Sequence, residues 1–248
     1  MEDLDRERVI EGCAARQLRT LEQFALGWDG PVEYQSARTA HYAEALARLE
    51  MAGLTFPCTC SRRELAGEPG YPGTCRAAPR SAGAAAVRFR VSDTEVRFAD
   101  RIQGECRFGL GRLGDVVIRR RDGAFAYQLA VVVDDALQHV TDVVRGADLL
   151  DSTPWQIALQ HALGYPTPRY AHLPLVVEPG GSKLAKARRS VALEPGRAGA
   201  QLTQVLQLLG LNPPDGLEAD PPEKIMNWAV AHASFAAVRG MRTVVATD

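Results

Sequence analysis

The stretch CTCSRRELAGEPGYPGTC, from Cys58 to Cys75, holds three of the five cysteines in the chain. Thiolates and imidazoles bind zinc tetrahedrally, and a Cys-x-Cys spacing lets one turn supply two ligands. Cys58 and Cys60 form such a pair, and Cys75 can return to them across a loop containing Gly67, Pro69, Gly70, Pro72 and Gly73. A closed site needs a fourth ligand. No histidine lies in the loop; the nearest in sequence, His41, belongs to the preceding helical stretch. Tyr71 offers a phenolate, whose ordinary pKa of about 10 the metal would have to pull down. The same spacing also fits buried thiols in a turn, with Cys75 unrelated. Cys13 and Cys106 stand apart, and Cys13 falls on an apolar helix stripe where a core residue is expected.

The elements that must position these groups are legible in the periodicity. Ile10, Cys13, Leu18, Leu21 and Phe24 recur at helical spacing until Gly27. Ser36 is a candidate cap for a second helix carrying Tyr42, Leu46 and Leu49 and ending at Gly53. After the cysteine loop, RAAPRSAGAAAV reads as a linker. VRFRV and EVRF alternate as half-buried strands. VVIRRRDGAFAYQLAVVV reads as a hairpin turning at Asp122-Gly123, its second arm an apolar strand covered on both faces. Asp134-Asp135 then forms the polar end of that strand, with no divalent-ion pattern around it. DSTPWQIALQHALGYP has the grammar of a complete helix: Thr153 as cap, Pro154 in the first turn, Gln156 closing a capping box, Gly164 as terminator. HLPLVV is a further buried strand leading into the basic loop GGSKLAKARR, and the remainder from about residue 191 is helical. Strands mixed with helices of this length predict an α/β core with an inserted small subdomain.

Composition sets the outer limits. The chain has 248 residues, 46% hydrophobic and 24% charged, with a formal net charge of -1. This excludes a general, histone-like affinity for nucleic acid but not a local basic groove. No apolar run is long enough for a bilayer, and MEDLDRERV has no signal-peptide character. A cytoplasmic location, reduced thiols and a monomer are the expectation.

Several segments, in this order, resemble the glutamyl-Q tRNA(Asp) synthetase family. They are MEDLDRERV, WDGPVEYQSARTAHYAEAL, CTCSRRELAGEPGYPGTCR, RRRDGAFAYQLAVVVDDALQHVTDVVRGADLLDSTPWQ and YAHLPLVVEPGGSKLAKARR. That family is a shortened relative of the glutamyl-tRNA synthetases, with a class I Rossmann-type catalytic domain. The resemblance implies activation of L-glutamate by ATP (with Mg) and its transfer to queuosine in tRNA(Asp). It implies one structural zinc held by Cys58, Cys60, Tyr71 and Cys75. It assigns glutamate to Glu2, Tyr127 and Arg145, with Glu2 facing the ammonium and Arg145 gripping a carboxylate bidentately. On residues alone, Arg145 could instead pair with Asp142 or Asp148, and Tyr127 could be a core aromatic. Lys183 and Lys186 match the family's Lys-Leu-Ser-Lys signature, with Ala185 in place of serine, and Lys186 corresponds to its ATP-binding lysine. Taken alone, two lysines three apart are usually a solvated surface pair.

The expected organisation is 1–53 as the remainder of the first Rossmann half, 54–115 as the inserted zinc-binding subdomain, 116–190 as the second half with the KLAK loop, and 191–248 as a helical tail. The family also opens with a Ser-Gly-x-Leu-His-x-Gly loop for ATP. None of His41, His139, His161, His172 and His232 has that setting. An N-terminally truncated domain is therefore expected, with poor adenylation by this polypeptide. Alternatives are a zinc-stabilised RNA-binding module without catalysis and a fragment of a glutamyl-tRNA synthetase. RNA contacts are expected from Arg119 to Arg121 and from Arg188-Arg189.

Overall fold

The computed structural model describes residues 1–61, 63–68, 70–78, 83–178, 180–181 and 193–246. Lys183, Lys186, Arg188 and Arg189 lie outside them. In chain order the helices are α1 (Cys13–Gln23), α2 (Thr39–Met51), α3 (Thr74–Ala77), α4 (Leu110–Leu113), α5 (Tyr127–Leu137), α6 (Thr153–Leu163), α7 (Ala198–Leu208) and α8 (Pro222–Ala231). The strands are β1 (Thr55–Cys58), β2 (Ala86–Phe89), β3 (Glu95–Asp100), β4 (Gly104–Gly109), β5 (Val116–Arg119), β6 (Asp142–Gly146), β7 (Arg169–Leu173), β8 (Leu175–Val177) and β9 (Thr243–Val245).

The strands form mixed sheets, as an α/β fold requires. β1, β2 and β5 pair antiparallel, in that order. The second sheet runs β4-β3-β7-β6. There β3 and β4 form an antiparallel hairpin, while β7 is parallel to both β3 and β6. The alternating VRFRV and EVRF segments are β2 and β3, as their period demands. HLPLVV is cut in two at Pro174, which has no N–H to donate to a ladder. β7 stays in the second sheet, and β8 leaves it to pair with β9.

The largest departure from expectation is α5. The run from Tyr127 to Val133 is not the second arm of a hairpin; it begins a helix that continues to Leu137. Leu129, Ala130, Val132 and Val133 are all buried against Tyr42, Leu46 and Leu49 of α2 and Leu159 and Leu163 of α6. A segment covered on every side carries no alternation to distinguish helix from strand, and its β-branched residues favour the strand pattern. The turn before it does form, with Gly123 at φ 90°. It is held by one bridge between Arg119 and Phe125 and by Arg120 N donating to Ala124 O at 2.7 Å. Asp134 is likewise a buried helical residue, not a strand end.

Smaller corrections concern caps. Ser36 does not cap α2: it lies in a 3-10 turn, and its N–H and hydroxyl both donate to Asp3. Thr153 is already helical, Ser152 precedes it without a side-chain cap bond, and Gln156 is drawn into a different network. Gly164 does terminate α6, at φ 67°. None of the residues of α1 is buried, so Cys13 is not a core residue. Phe24, just beyond α1, is the group that goes inward.

Candidate active site and metal site

The parallel pairing of β6 and β7 sets Arg145 beside His172. Tyr127 arrives from the first turn of α5, and Thr153 and Gln156 from the first turn of α6. All four bond to the Arg145 guanidinium. Nε donates to His172 Nε2 (3.0 Å), Nη1 to the Tyr127 hydroxyl (3.2 Å), and Nη2 to Thr153 Oγ1 (2.9 Å) and Gln156 Oε1 (2.7 Å). Every one of these acceptors is neutral. A half-buried guanidinium whose bonds all run to neutral groups keeps its charge available to an incoming anion. Four of its five N–H groups are used, so among the described residues one hydrogen on Nη1 is presented, not the two-pronged fork expected for Arg145. Asp142, one expected alternative partner, is taken by Arg101 and Arg169.

The opposite charge lies nearby. Glu2 is exposed, and its field acts on both Tyr127 and Asp135. Burial pushes the Asp135 carboxyl up to about 6, the neighbouring Asp134 and Glu2 charges add to this, and Arg145 opposes it. Burial also raises the Tyr127 phenol, so it remains a hydroxyl at neutral pH. Glu2, Tyr127 and Arg145 therefore share one electrostatic neighbourhood, with Asp135, which the sequence places at a polar strand end, as a fourth member. Its neighbour Asp134 has a different task. It accepts from Gln35 Nε2 (2.9 Å), Arg38 Nε (2.7 Å) and the Tyr42 hydroxyl (2.8 Å), locking α5 to the start of α2.

Around the cysteine loop, the ligand atoms of Cys58, Cys60 and Cys75 all lie within 4.8 Å of one another. Cys60 Sγ and Cys75 Sγ are 3.4 Å apart, and the Tyr71 oxygen lies 3.6 Å from Cys58 Sγ. Three thiols and a phenol thus converge on one point, with spacings close to the edges of a tetrahedron built on Zn–S bonds of about 2.3 Å. The donor set fits one metal ion. Burial and the neighbouring Cys75 and Cys58 push the Cys60 thiol up to about 11. For Cys75, burial works upward but is outweighed by the Thr59 N–H and by Cys60, Tyr71 and Thr59 side chains, which hold the thiol down to about 6. A readily formed thiolate beside two thiols is a fitting entry point for a cation.

Close backbone approach shapes this pocket. A Cβ on Gly114 would stand 2.6 Å from Tyr71 N and 2.7 Å from Tyr71 O, and Gly114 has φ 74°. Only glycine meets both conditions. Arg121 joins the loop to the rest of the fold through Thr59 O (2.7 Å), while Arg120 pairs with Asp5 and Asp122. Arg119 Nε donates to Gly123 O (3.2 Å), so all three arginines of the run expected to touch RNA are engaged within the protein. Lys183 and Lys186, expected at the ATP phosphates, and Arg188-Arg189 fall outside the described residues.

With the geometry in place, comparison with known proteins places the chain in a class. It belongs to the family described as tRNA synthetases class I (E and Q), catalytic domain, which matches residues 1–218. Within that class it is a member of the glutamyl-Q tRNA(Asp) synthetases. It is 51% identical over 246 residues to the protein of that name from Ectopseudomonas mendocina, covering 98% of this chain and 84% of the relative. To the Pseudomonas aeruginosa protein of the same name it is 52% identical over 234 residues, 94% of this chain and 80% of that one. The fold matches a glutamate-tRNA synthetase from Elizabethkingia anophelis with a TM-score of 0.78 at 20% identity, covering 99% of this chain and 60% of that one. The chain thus spans about 60% of the length of that solved synthetase. Among the described residues, no helix is long and apolar enough to cross a membrane.

Proposed function

We propose that this chain is a ligase that activates L-glutamate with ATP and transfers it to the queuosine base of tRNA(Asp). The observation that carries the reading is the Arg145 guanidinium, bonded among the described residues to neutral acceptors, next to Tyr127 and within reach of the Glu2 field. Glutamate carries one ammonium and two carboxylates, so a cation, a hydroxyl donor and an anion in one place suit it. The Nη1–H of Arg145 and the hydroxyl of Tyr127 hold a carboxylate, and Glu2 faces the ammonium.

In the first step an α-carboxylate oxygen of glutamate attacks the α-phosphate of ATP; the bond to the bridging oxygen breaks and pyrophosphate leaves with its Mg. Lys183 and Lys186 neutralise charge on the phosphates, so the protein contributes alignment and electrostatics and no covalent chemistry. In the second step a hydroxyl of the queuosine cyclopentenediol takes the glutamyl group and AMP departs. Cys58, Cys60, Tyr71 and Cys75 would hold one zinc ion and so fix the loop between β1 and β2; four protein ligands would leave no position for substrate, which makes the part a structural one. Residues 54–115 form the inserted acceptor-side unit and the flanking segments the catalytic halves.

The test is glutamate-dependent ATP–pyrophosphate exchange by the purified chain, followed by glutamylation of tRNA(Asp) with and without queuosine and of tRNA(Glu). Exchange with glutamate at a rate well below that of ordinary synthetases, and labelling of the queuosine-bearing tRNA(Asp) alone, are expected. Labelling of tRNA(Glu) would move the chain to the ordinary synthetases. Binding of tRNA with no exchange would make it an RNA-binding module.

A further inference from the structure

His172 is fully buried in β7, and its ring stands between a carboxylate and the Arg145 guanidinium. Its Nδ1 is 2.6 Å from Asp100 Oδ2, with both side chains inaccessible to solvent. The other oxygen of Asp100 accepts three backbone N–H groups, from Ile102 (3.0 Å), Gln103 (2.8 Å) and His172 itself (3.1 Å). A carboxylate with that many donors stays ionised, so it must accept from His172 and cannot donate. The proton of the imidazole is thereby assigned to Nδ1. Nε2 keeps its one lone pair and accepts from Arg145 Nε, leaving the Thr153 hydroxyl to donate to Leu149 O at 3.3 Å. Burial holds the His172 pKa below its ordinary value against the pull of Asp100, and the Arg145 charge works in the same direction as burial.

We propose that Asp100 and His172 are the positioning residues of the glutamate pocket. Asp100 sets the tautomer of His172, and His172 holds the guanidinium of Arg145 by Nε so that Nη1 and the Tyr127 hydroxyl form the carboxylate grip. Neither residue touches substrate. The inference rests on the reading of Arg145 and Tyr127 as glutamate ligands. A mechanical consequence follows from the chain of donors. Reversing the tautomer would set N–H against N–H at the His172–Arg145 contact and expel the guanidinium from its seat.

Asp100→Asn makes that reversal with little change of shape. The asparagine oxygen retains the three backbone bonds, while its amide now donates to Nδ1 and forces the proton onto Nε2. Nitrogen-15 NMR of the labelled full chain reads the tautomer and the exchange rate of the Arg145 Nε–H directly, and calorimetry reads the Kd for glutamate and for ATP. The wild type is expected as the neutral Nδ1–H form. In Asp100→Asn the Nε2–H form, at least about tenfold faster Nε–H exchange and about 10–100-fold weaker glutamate binding are expected, with ATP binding unchanged. His172→Gln, which restores an acceptor for Nε, should recover much of the affinity that His172→Leu loses. A wild-type Nε2–H tautomer, or an Asp100→Asn chain that switches tautomer yet binds glutamate as tightly as the parent, overturns the proposal. If the wild type binds no glutamate, the pocket reading is what fails. The exchange rate of Arg145 Nε–H then decides the positioning claim alone: acceleration in Asp100→Asn upholds it, and an unchanged rate refutes it.

Discussion

A guanidinium seated among His172, Thr153, Gln156 and Tyr127 cannot be replaced by an ammonium of equal charge. Lysine has one donor centre on a flexible stem, so Arg145→Lys leaves buried acceptors among His172, Thr153 and Gln156 without partners. Calorimetry should show glutamate affinity reduced about 100-fold, or ~2.7 kcal/mol, with ATP affinity unchanged. Asp135 makes a second residue-scale test through pH. Its carboxyl is raised from an ordinary 3.8 to about 6, first by burial and then by Asp134 and Glu2. Between about pH 4 and 6 the native state therefore binds more protons than the unfolded one, and stability falls as pH rises through that window. Asp135→Asn removes the ionisation. Urea unfolding should find the variant ~1–2 kcal/mol more stable than the parent at pH 7, after allowance for solvent screening, with the two converging near pH 4. Arg145 and Tyr127 were reached in the sequence only through resemblance. Their meeting depends on β6, α5 and α6 converging, and no local pattern encodes that. His172 left one clue, a lone histidine in an apolar strand, which burial obliges to find partners.

At the scale of elements, the metal loop and the α4–β5 corner are fitted to each other through Gly114. Gly114→Ala meets a left-handed backbone and the Tyr71 main chain at once, so the loop must move. The strain is of order 1–3 kcal/mol. It should appear as at least about tenfold weaker zinc binding in a chelator competition, since Tyr71 shifts with the loop. Removing the metal from the parent with a chelator is expected to speed amide exchange from Cys58 to Ala77 while α5 and α6 keep their protection. Their core is separate from the small cluster of Phe56, Cys58 and Cys75. Uniform loss of protection would show instead that the loop organises the whole fold. These elements also show what periodicity can and cannot reveal. β3 has one wetter face, so its alternation is visible in the sequence, whereas β2 buries Arg88 and Phe89 in succession; α6 ends at Gly164 because its left-handed cap demands that residue. α5 is buried all round, so its pattern matches a strand as well as a helix, and α1 carries an apolar stripe that stays exposed. Burial pattern is a property of neighbours, and neighbours distant in sequence are what a local pattern omits.

For the whole molecule, the decisive contacts join the two ends of the chain. Phe24, 4% exposed, leaves α1 and packs with Ala198, Leu202 and Leu206 of α7, Leu217, and Ile225 and Ala229 of α8. The helical region after residue 191 was foreseen, but its docking on an N-terminal phenylalanine and its return through β9 were not. β9 is three residues long, and its strand character comes from β8. The last turns are pinned again by Val238 against Ile102 and Ala171, and by Gln103 Nε2 donating to His172 O (2.8 Å) and Met241 O (2.7 Å). Two independent anchors predict a graded response, not a collapse. Phe24→Ala removes a buried ring from the first anchor and should cost ~3–5 kcal/mol locally. Hydrogen exchange should then show α7 and α8 opening while α5 and β7 remain protected, because neither the α5 core nor the cluster of Ala171 with Ile102 and Val238 shares a residue with the Phe24 cluster. Glutamate affinity, set by Arg145 in β6, should stay at the parental value. Loss of glutamate binding in Phe24→Ala would mean instead that the tail helices and the pocket form one cooperative unit.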